Sequence, residues 1–183
     1  MIFFTSDEHY GHFNMIKLAN RPHLTVEEMD EYLIEKHNQK VGPLDVVWHL
    51  GDFGWKAEAG RRAFSKLNGF HHLVRGNHEL GSLESLFQSV HDYKEITIEG
   101  QEIVLFHYPI RSWNGVFRGS WHLHGHTHNL LPLRPGKYLD VGVDAVGYEP
   151  LSFEEVKDYM SRKQIWTEEK GFSNYPAVKT QQV

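Results

Sequence analysis

A chain of 183 residues, 40% hydrophobic and 23% charged, has the length and balance of one soluble globular domain with a substantial core. Its formal net charge of -5 excludes a global basic field that would recruit nucleic acid, and the absence of cysteine excludes disulfides and thiolate-bound metal. No stretch approaches the roughly 20 apolar residues of a membrane span, and MIFFTSDEHYGH lacks the basic and long apolar regions of a signal peptide, so a cytoplasmic protein with no membrane partner is expected.

In chain order, the first β-type run is IFFTSDEH (2–9), where apolar residues give way to acid and histidine. Thr25 and Glu28 then form a capping-box pattern, followed by Val26, Met29, Leu33 and His37 on one helical face. DVVWHLGD (45–52) is the second strand-like run, and Ala59, Ala63, Phe64 and Leu67 mark a second helix over Ala57–Leu67. HHLVRGNHE (71–79) follows, and the alternating EITIEG (95–100) leads into EIVLFHYP (102–109) through a hairpin turn containing Gly100. WHLHGHTH (121–128) and KYLDVGVD (137–144) are further strands, and Ser152 with Glu155 opens a closing helix through about Met160. Apolar runs of this length bounded by Gly, Pro or Asn read as buried strands. The order β-α-β-α-β, then β-rich, then helix, implies an α/β sandwich over 1–163. Residues 164–183 are polar and lack periodicity, so they read as a loosely packed tail.

The chain holds fourteen histidines, and their positions matter more than their number. Each of the first strand-like runs ends in potential metal ligands: Asp7 and His9, then Asp52, then Asn77 and His78, then His107, then His126 and His128. In open α/β folds functional groups gather beyond the carboxyl ends of strands. Any one such residue reads as a cap or turn, but the full set in this order does not arise by chance. In WHLHGHTH, alternation puts Trp121 and Leu123 on one face and His122 and His124 on the other, leaving His126 and His128 on the loop beyond Gly125.

The pattern DEH (7–9), GD (51–52), GNHE (76–79), His107 and GHTH (125–128) resembles that of the calcineurin-like metallophosphoesterases, over roughly residues 1–150. FTSDEHYGHFN with NRP at 20–22 is similar to a small bacterial and phage branch. The resemblance implies an α/β fold of the αββα type, two mixed β-sheets flanked by helices, and a binuclear centre. By position Asp7, His9, Asp52 and His128 would hold one ion, and Asp52, Asn77, His107 and His126 the other, with Asp52 bridging. Oxygen and imidazole ligands suit Mn²⁺, Fe, Zn²⁺ or Ni²⁺, and Mn²⁺ is the preferred expectation. The implied chemistry is in-line attack on phosphorus by a hydroxide shared between the ions. His78 would stabilise the transition state or protonate the leaving oxygen.

GDFGW departs from the protein-phosphatase pattern G-D-V-D-R-G, which supplies a phosphate-binding arginine. Small phosphodiesters or nucleotides are therefore the expected substrates, with a phosphomonoesterase or a non-catalytic metal-binding scaffold as alternatives. No stable nucleic-acid complex is expected. Candidate substrate-binding residues are His12, Arg75, Arg111 and His124, with Arg118 beside them. The competing readings are solvated or salt-bridged side chains for His12 and the arginines and a satisfied strand histidine for His124. Trp113 is a candidate for stacking on an aromatic group, against packing. His49 is expected in the core side of its strand.

Overall fold

The computed structural model describes residues 1–131 and 136–165; the expected polar tail at 164–183 lies, from residue 166 on, outside them. The elements run β1 (Ile2–Thr5), α1 (Met15–Leu18), α2 (Val26–Lys40), β2 (Val46–His49), α3 (Ala57–Phe64), β3 (Phe70–Val74), α4 (Gly81–Glu84) and β4 (Ser89–His91). They continue with β5 (Lys94–Ile98), β6 (Gln101–Leu105), β7 (Trp121–His124), β8 (Tyr138–Asp140), α5 (Val143–Val146), β9 (Leu151–Ser152) and α6 (Phe153–Ser161). Among the described residues no helix is long and apolar enough to cross a membrane.

Two mixed sheets result, ordered β4-β3-β2-β1-β9 and β5-β6-β7-β8. In the first, β4 to β1 are parallel and β9 is antiparallel. In the second, β6, β7 and β8 are parallel and β5 is antiparallel. The period-two alternation decides what packs between them. Phe4, Trp48 and Val74 from the first sheet meet Ile103, Leu105, Trp121 and Leu123 from the second, with Val156 and Met160 of α6 in the same cluster. The outer face of the first sheet is covered separately, as Leu73 packs with Met29 and Leu33 of α2, Ala63 of α3 and Leu83 of α4. Parallel strands covered on both faces explain why these runs are apolar throughout. The expected α/β sandwich is the observed fold.

Local chemistry accounts for the element ends. Thr25 accepts the Glu28 N–H at the start of α2, and Ser152 with Glu155 forms a complete capping box on α6. The β5–β6 hairpin turns through Glu99 and Gly100, both at positive φ (50° and 83°), the signature of a primed turn that matches strand twist. The second helix ends at Phe64, with Leu67 in the turn beyond. β4 and β9, at three and two residues, escape sequence reading because neither contains an apolar run.

Candidate metal centre

The strands stop earlier than their apolar patterns because the backbone turns sharply at the chemical residues. Among the described residues nine non-glycine residues adopt positive φ, and five are candidate ligands: Asp7 (60°), His9 (55°), Asp52 (58°), His126 (70°) and His128 (45°). Each such left-handed residue costs about 1–3 kcal/mol, and strain of this kind collects where a surrounding structure must hold a functional geometry. The surrounding structure here is a lattice of backbone hydrogen bonds. Asp7 N–H donates to Gly51 O and His9 N–H to Asp52 O, both at 3.0 Å, so the loops after β1 and β2 run locked together. Gly125 N–H donates to His107 O at 3.0 Å, which ties the loop after β7 to that after β6.

Two glycines are required by close approach. A Cβ on Gly76 would stand 2.1 Å from Asp52 Oδ1, and one on Gly125 would stand 2.2 Å from Asp7 Oδ2. Through these gaps backbone amides reach the carboxylates. Asp52 Oδ1 accepts the His78 N–H at 2.8 Å, and Asp7 accepts the His126 N–H at 2.9 and 3.1 Å.

Several of the candidate ligand side chains converge. Asp7, His9 and His128 form one group, and Asp7, Asp52 and His107 a second, with donor atoms within 4.8 Å of one another in each. Asp7 is common to both groups, and Asp52 Oδ2 stands 3.6 Å from His9 Nε2 and 3.7 Å from His107 Nε2. Asn77 Oδ1 is 3.0 Å from His107 Nε2, and the His126 ring is 5.1 Å from that of His107.

Donor chemistry tests whether these residues fit cations. His107 Nδ1 faces Leu50 O at 2.7 Å; a carbonyl only accepts, so Nδ1 carries the proton and Nε2 presents a lone pair. That lone pair faces the Asn77 oxygen, another acceptor, an arrangement suited to a cation. His9 Nε2 is buried with no hydrogen-bond partner. Burial, then Asp140 and Asp52, push the Asp7 carboxyl well above its ordinary value. Carboxylates crowded this way need positive charge, and the ligand set fits divalent metal.

Comparisons with known proteins agree in extent. No protein-family model matches the chain. The uncharacterised protein MJ1445 of Methanocaldococcus jannaschii is 32% identical over 173 residues, covering 90% of this chain and 93% of that protein. The gene 66 protein of Mycobacterium phage D29 is 26% identical, covering 87% and 96%. Among solved structures, a protein of unknown function, AQ665 from Aquifex aeolicus, superposes with a TM-score of 0.71 at 26% identity, covering 87% of this chain and 98% of that one. The chain belongs to the same family as MJ1445, which it matches over nearly its whole length.

Around the candidate ligands the chain carries a second set of residues that the sequence reading missed. His128 Nδ1–H donates to Asp144 Oδ2 at 2.7 Å, fixing the tautomer that aims Nε2 at the ligand cluster. Arg21 grips the same carboxylate from the other side at 2.8 and 2.9 Å, and donates to the carbonyls of Asp7 and Glu8 at 2.7 and 2.8 Å. Burial would raise Asp144, but His128 and Arg21 outweigh it and hold the carboxyl below its usual range. Asp140 accepts from Thr127 Oγ1, Asn129 N–H and Gly142 N–H, which clamps the GHTH loop. Glu79 accepts the amides of Asp52 and Gly76 at 2.8 and 3.0 Å, and burial raises it to about 7. The available signals were NRP at 20–22 and the four-residue spacing of Asp140 and Asp144 in LDVGVD.

The remaining predicted residues divide. His78 is exposed, its ring 5.9 Å from that of His9. His12 is buried beside the ligands, Nδ1 to Nδ1 of His9 at 3.5 Å, and burial with His78 and Arg21 nearby holds it below the usual imidazole value. Arg75 is held elsewhere, by Glu84 at 2.6 and 3.0 Å and Asp92 at 2.8 Å. Arg111 is exposed in the loop after His107, as is Arg118 further on. His124 is buried on the outer face of its sheet beside His122 and Tyr138, with Nδ1 on Gly125 O at 2.9 Å. Trp113 is 8% exposed and packs with Val104 and Val116, so packing is its role. His49 is buried as expected, joining Glu8 at 2.7 Å to His71 at 3.0 Å in a chain of hydrogen bonds.

Proposed function

We propose that this protein is a two-metal-dependent phosphoesterase that hydrolyses small phosphodiesters or nucleotides. The observation carrying the reading is Asp52 Oδ2, within 3.6–3.7 Å of the ligand nitrogens of both His9 and His107. A carboxylate so placed can serve two cations at once. Asp7, His9, Asp52 and His128 would hold one ion, and Asp52, Asn77, His107 and His126 the other. Bound there, divalent ions, Mn²⁺ by preference, would neutralise phosphoryl charge and supply hydroxide at neutral pH.

The chain's own groups do the rest. His78 takes its backbone position from Asp52 and carries an exposed ring next to the ligands. This supports a role for it in giving a proton to the departing oxygen, help worth about 10²–10⁴ in rate. His12, depressed below the usual imidazole value, meets the substrate as a neutral hydrogen-bonding group. Arg75 and Arg21 are committed to carboxylates, and this supports the diester over the dianionic monoester, since a single phosphate charge needs less positive compensation.

The test is a matched assay with Mn²⁺ on nitrophenyl mono- and diesters. The expected result is kcat/KM higher for the diester by at least about tenfold, roughly 1.4 kcal/mol of transition-state binding. Faster monoester turnover would overturn the diesterase reading. Full activity in chelator-treated protein would overturn metal dependence.

A further inference from the structure

Trp55 stands at the rim of the metal centre. Its indole stacks on His12, ring centroids 3.9 Å apart and planes 6° from parallel, and meets His78 at 5.1 Å and 62°. His12 in turn lies 5.2 Å from the His9 ring. The Trp55 backbone is pinned, its N–H donating to Tyr10 O at 2.9 Å next to the Tyr10–Gly54 bridge. Yet the side chain stays 41% exposed, whereas Trp48, Trp113 and Trp121 are at most 8% exposed.

A large ring held rigidly and left open to solvent has the properties of a stacking platform. Its position says what would stack. The group that leaves phosphorus departs toward the residue that protonates it, and Trp55 touches that residue. Burial of the remaining indole surface would be the expected arrangement if Trp55 served only to hold His12.

We propose that Trp55 is a specificity-determining residue whose exposed indole stacks on a planar, nucleobase-type group carried by the leaving alcohol of the substrate. The inference rests on the phosphodiesterase reading above. In the reaction the oxygen of water bonds to phosphorus and the bond from phosphorus to the nucleoside oxygen breaks. That oxygen takes a proton from His78, and the proton released by the water restores it.

The experiment compares a dinucleotide bearing thymine on the leaving nucleoside with its twin, abasic at that sugar, using the full chain with Mn²⁺. Trp55→Ala is expected to lower kcat/KM for the base-bearing diester about tenfold or more, chiefly through KM, and to change the abasic twin by less than about threefold. Trp55→Phe is expected to recover most of the loss. A second readout needs no turnover: calorimetric binding of thymidine 5′-phosphate against deoxyribose 5-phosphate. The nucleotide should bind about tenfold tighter to the native protein, and the gap should close in Trp55→Ala. Equal losses on both diesters, or no gap in binding, would overturn the proposal and reduce Trp55 to a support for His12 and His78. Base-dependent binding without cleavage of any diester would instead overturn the diesterase reading and leave Trp55 as the base platform.

Discussion

The floor and the rim of the metal centre are built on opposite principles. On the floor, Asp7, His9, Asp52 and His107 are at most 3% exposed, and three of the four hold strained left-handed backbone. Each is fixed by amides, carbonyls or neighbouring side chains. At the rim, Asn77, His78 and His126 are exposed, and Trp55 and Tyr108 flank them, Tyr108 at 4.7 Å from the His126 ring. The floor crowds carboxylates and imidazoles on strained backbone, a geometry that bound cations would complete. The rim keeps open the groups that must meet a substrate. Floor changes should therefore remove metal and activity together, and rim changes should remove turnover or selectivity while the ions remain.

Four predictions probe that division. The largest effect is expected for Asp52→Asn, which removes the carboxylate charge within 3.7 Å of both His9 and His107. Activity should fall about a thousand-fold or more, given the several kcal/mol that metal catalysis supplies, and added Mn²⁺ should not restore it. At the rim, His78→Ala should lower kcat by about 10²–10⁴ with metal content unchanged by elemental analysis. The loss should be smaller for nitrophenolate than for an alkoxide, and a missing ion would move His78 to the floor. Between the two lies Asp144→Asn, which leaves His128 in place but weakens its anchor; metal affinity by titration should drop about 10–100-fold.

The smallest effect concerns the buried histidines away from the metal centre, as a stability matter. Burial lowers His37 to about 4, His49 to about 3, His71 to about 2 and His122 to about 3. Each is depressed below its unfolded value of 6.5, so each favours the fold when neutral. Their contribution is complete above pH 6.5 and is lost as pH falls from there toward 4 and below. Thermal unfolding followed by circular dichroism should show Tm falling over that window, and a flat Tm would contradict the burial of these rings.

The sequence disclosed this division unevenly. Each candidate ligand sits in a tight motif at a strand end, which is why Asp7, His9, Asp52, His107 and His128 stood out in the sequence. The fold was legible for the same reason, because period-two runs survive as strands and the caps at Thr25 and Ser152 open helices. What supports the ligands was not legible. Arg21 reaches Asp144 across 123 residues, and no local pattern encodes such a pairing. Arg75 appeared beside GNHE as a phosphate ligand, but Glu84 and Asp92, nine and seventeen residues on, engage it first. GDFGW was read for the arginine it lacks, whereas its tryptophan is what the fold brings to the rim. Trp113, marked in sequence for stacking, is covered because its loop folds onto the outer face of the second sheet.

The central claim is that one strained, buried floor holds two ions through a common carboxylate. Calorimetric titration of chelator-treated full-length protein with Mn²⁺ tests it most directly. The account predicts two bound ions per chain in the native protein and loss of at least one in Asp52→Asn, with the fold intact by circular dichroism. A single ion in the native protein, or two retained by Asp52→Asn, would contradict it.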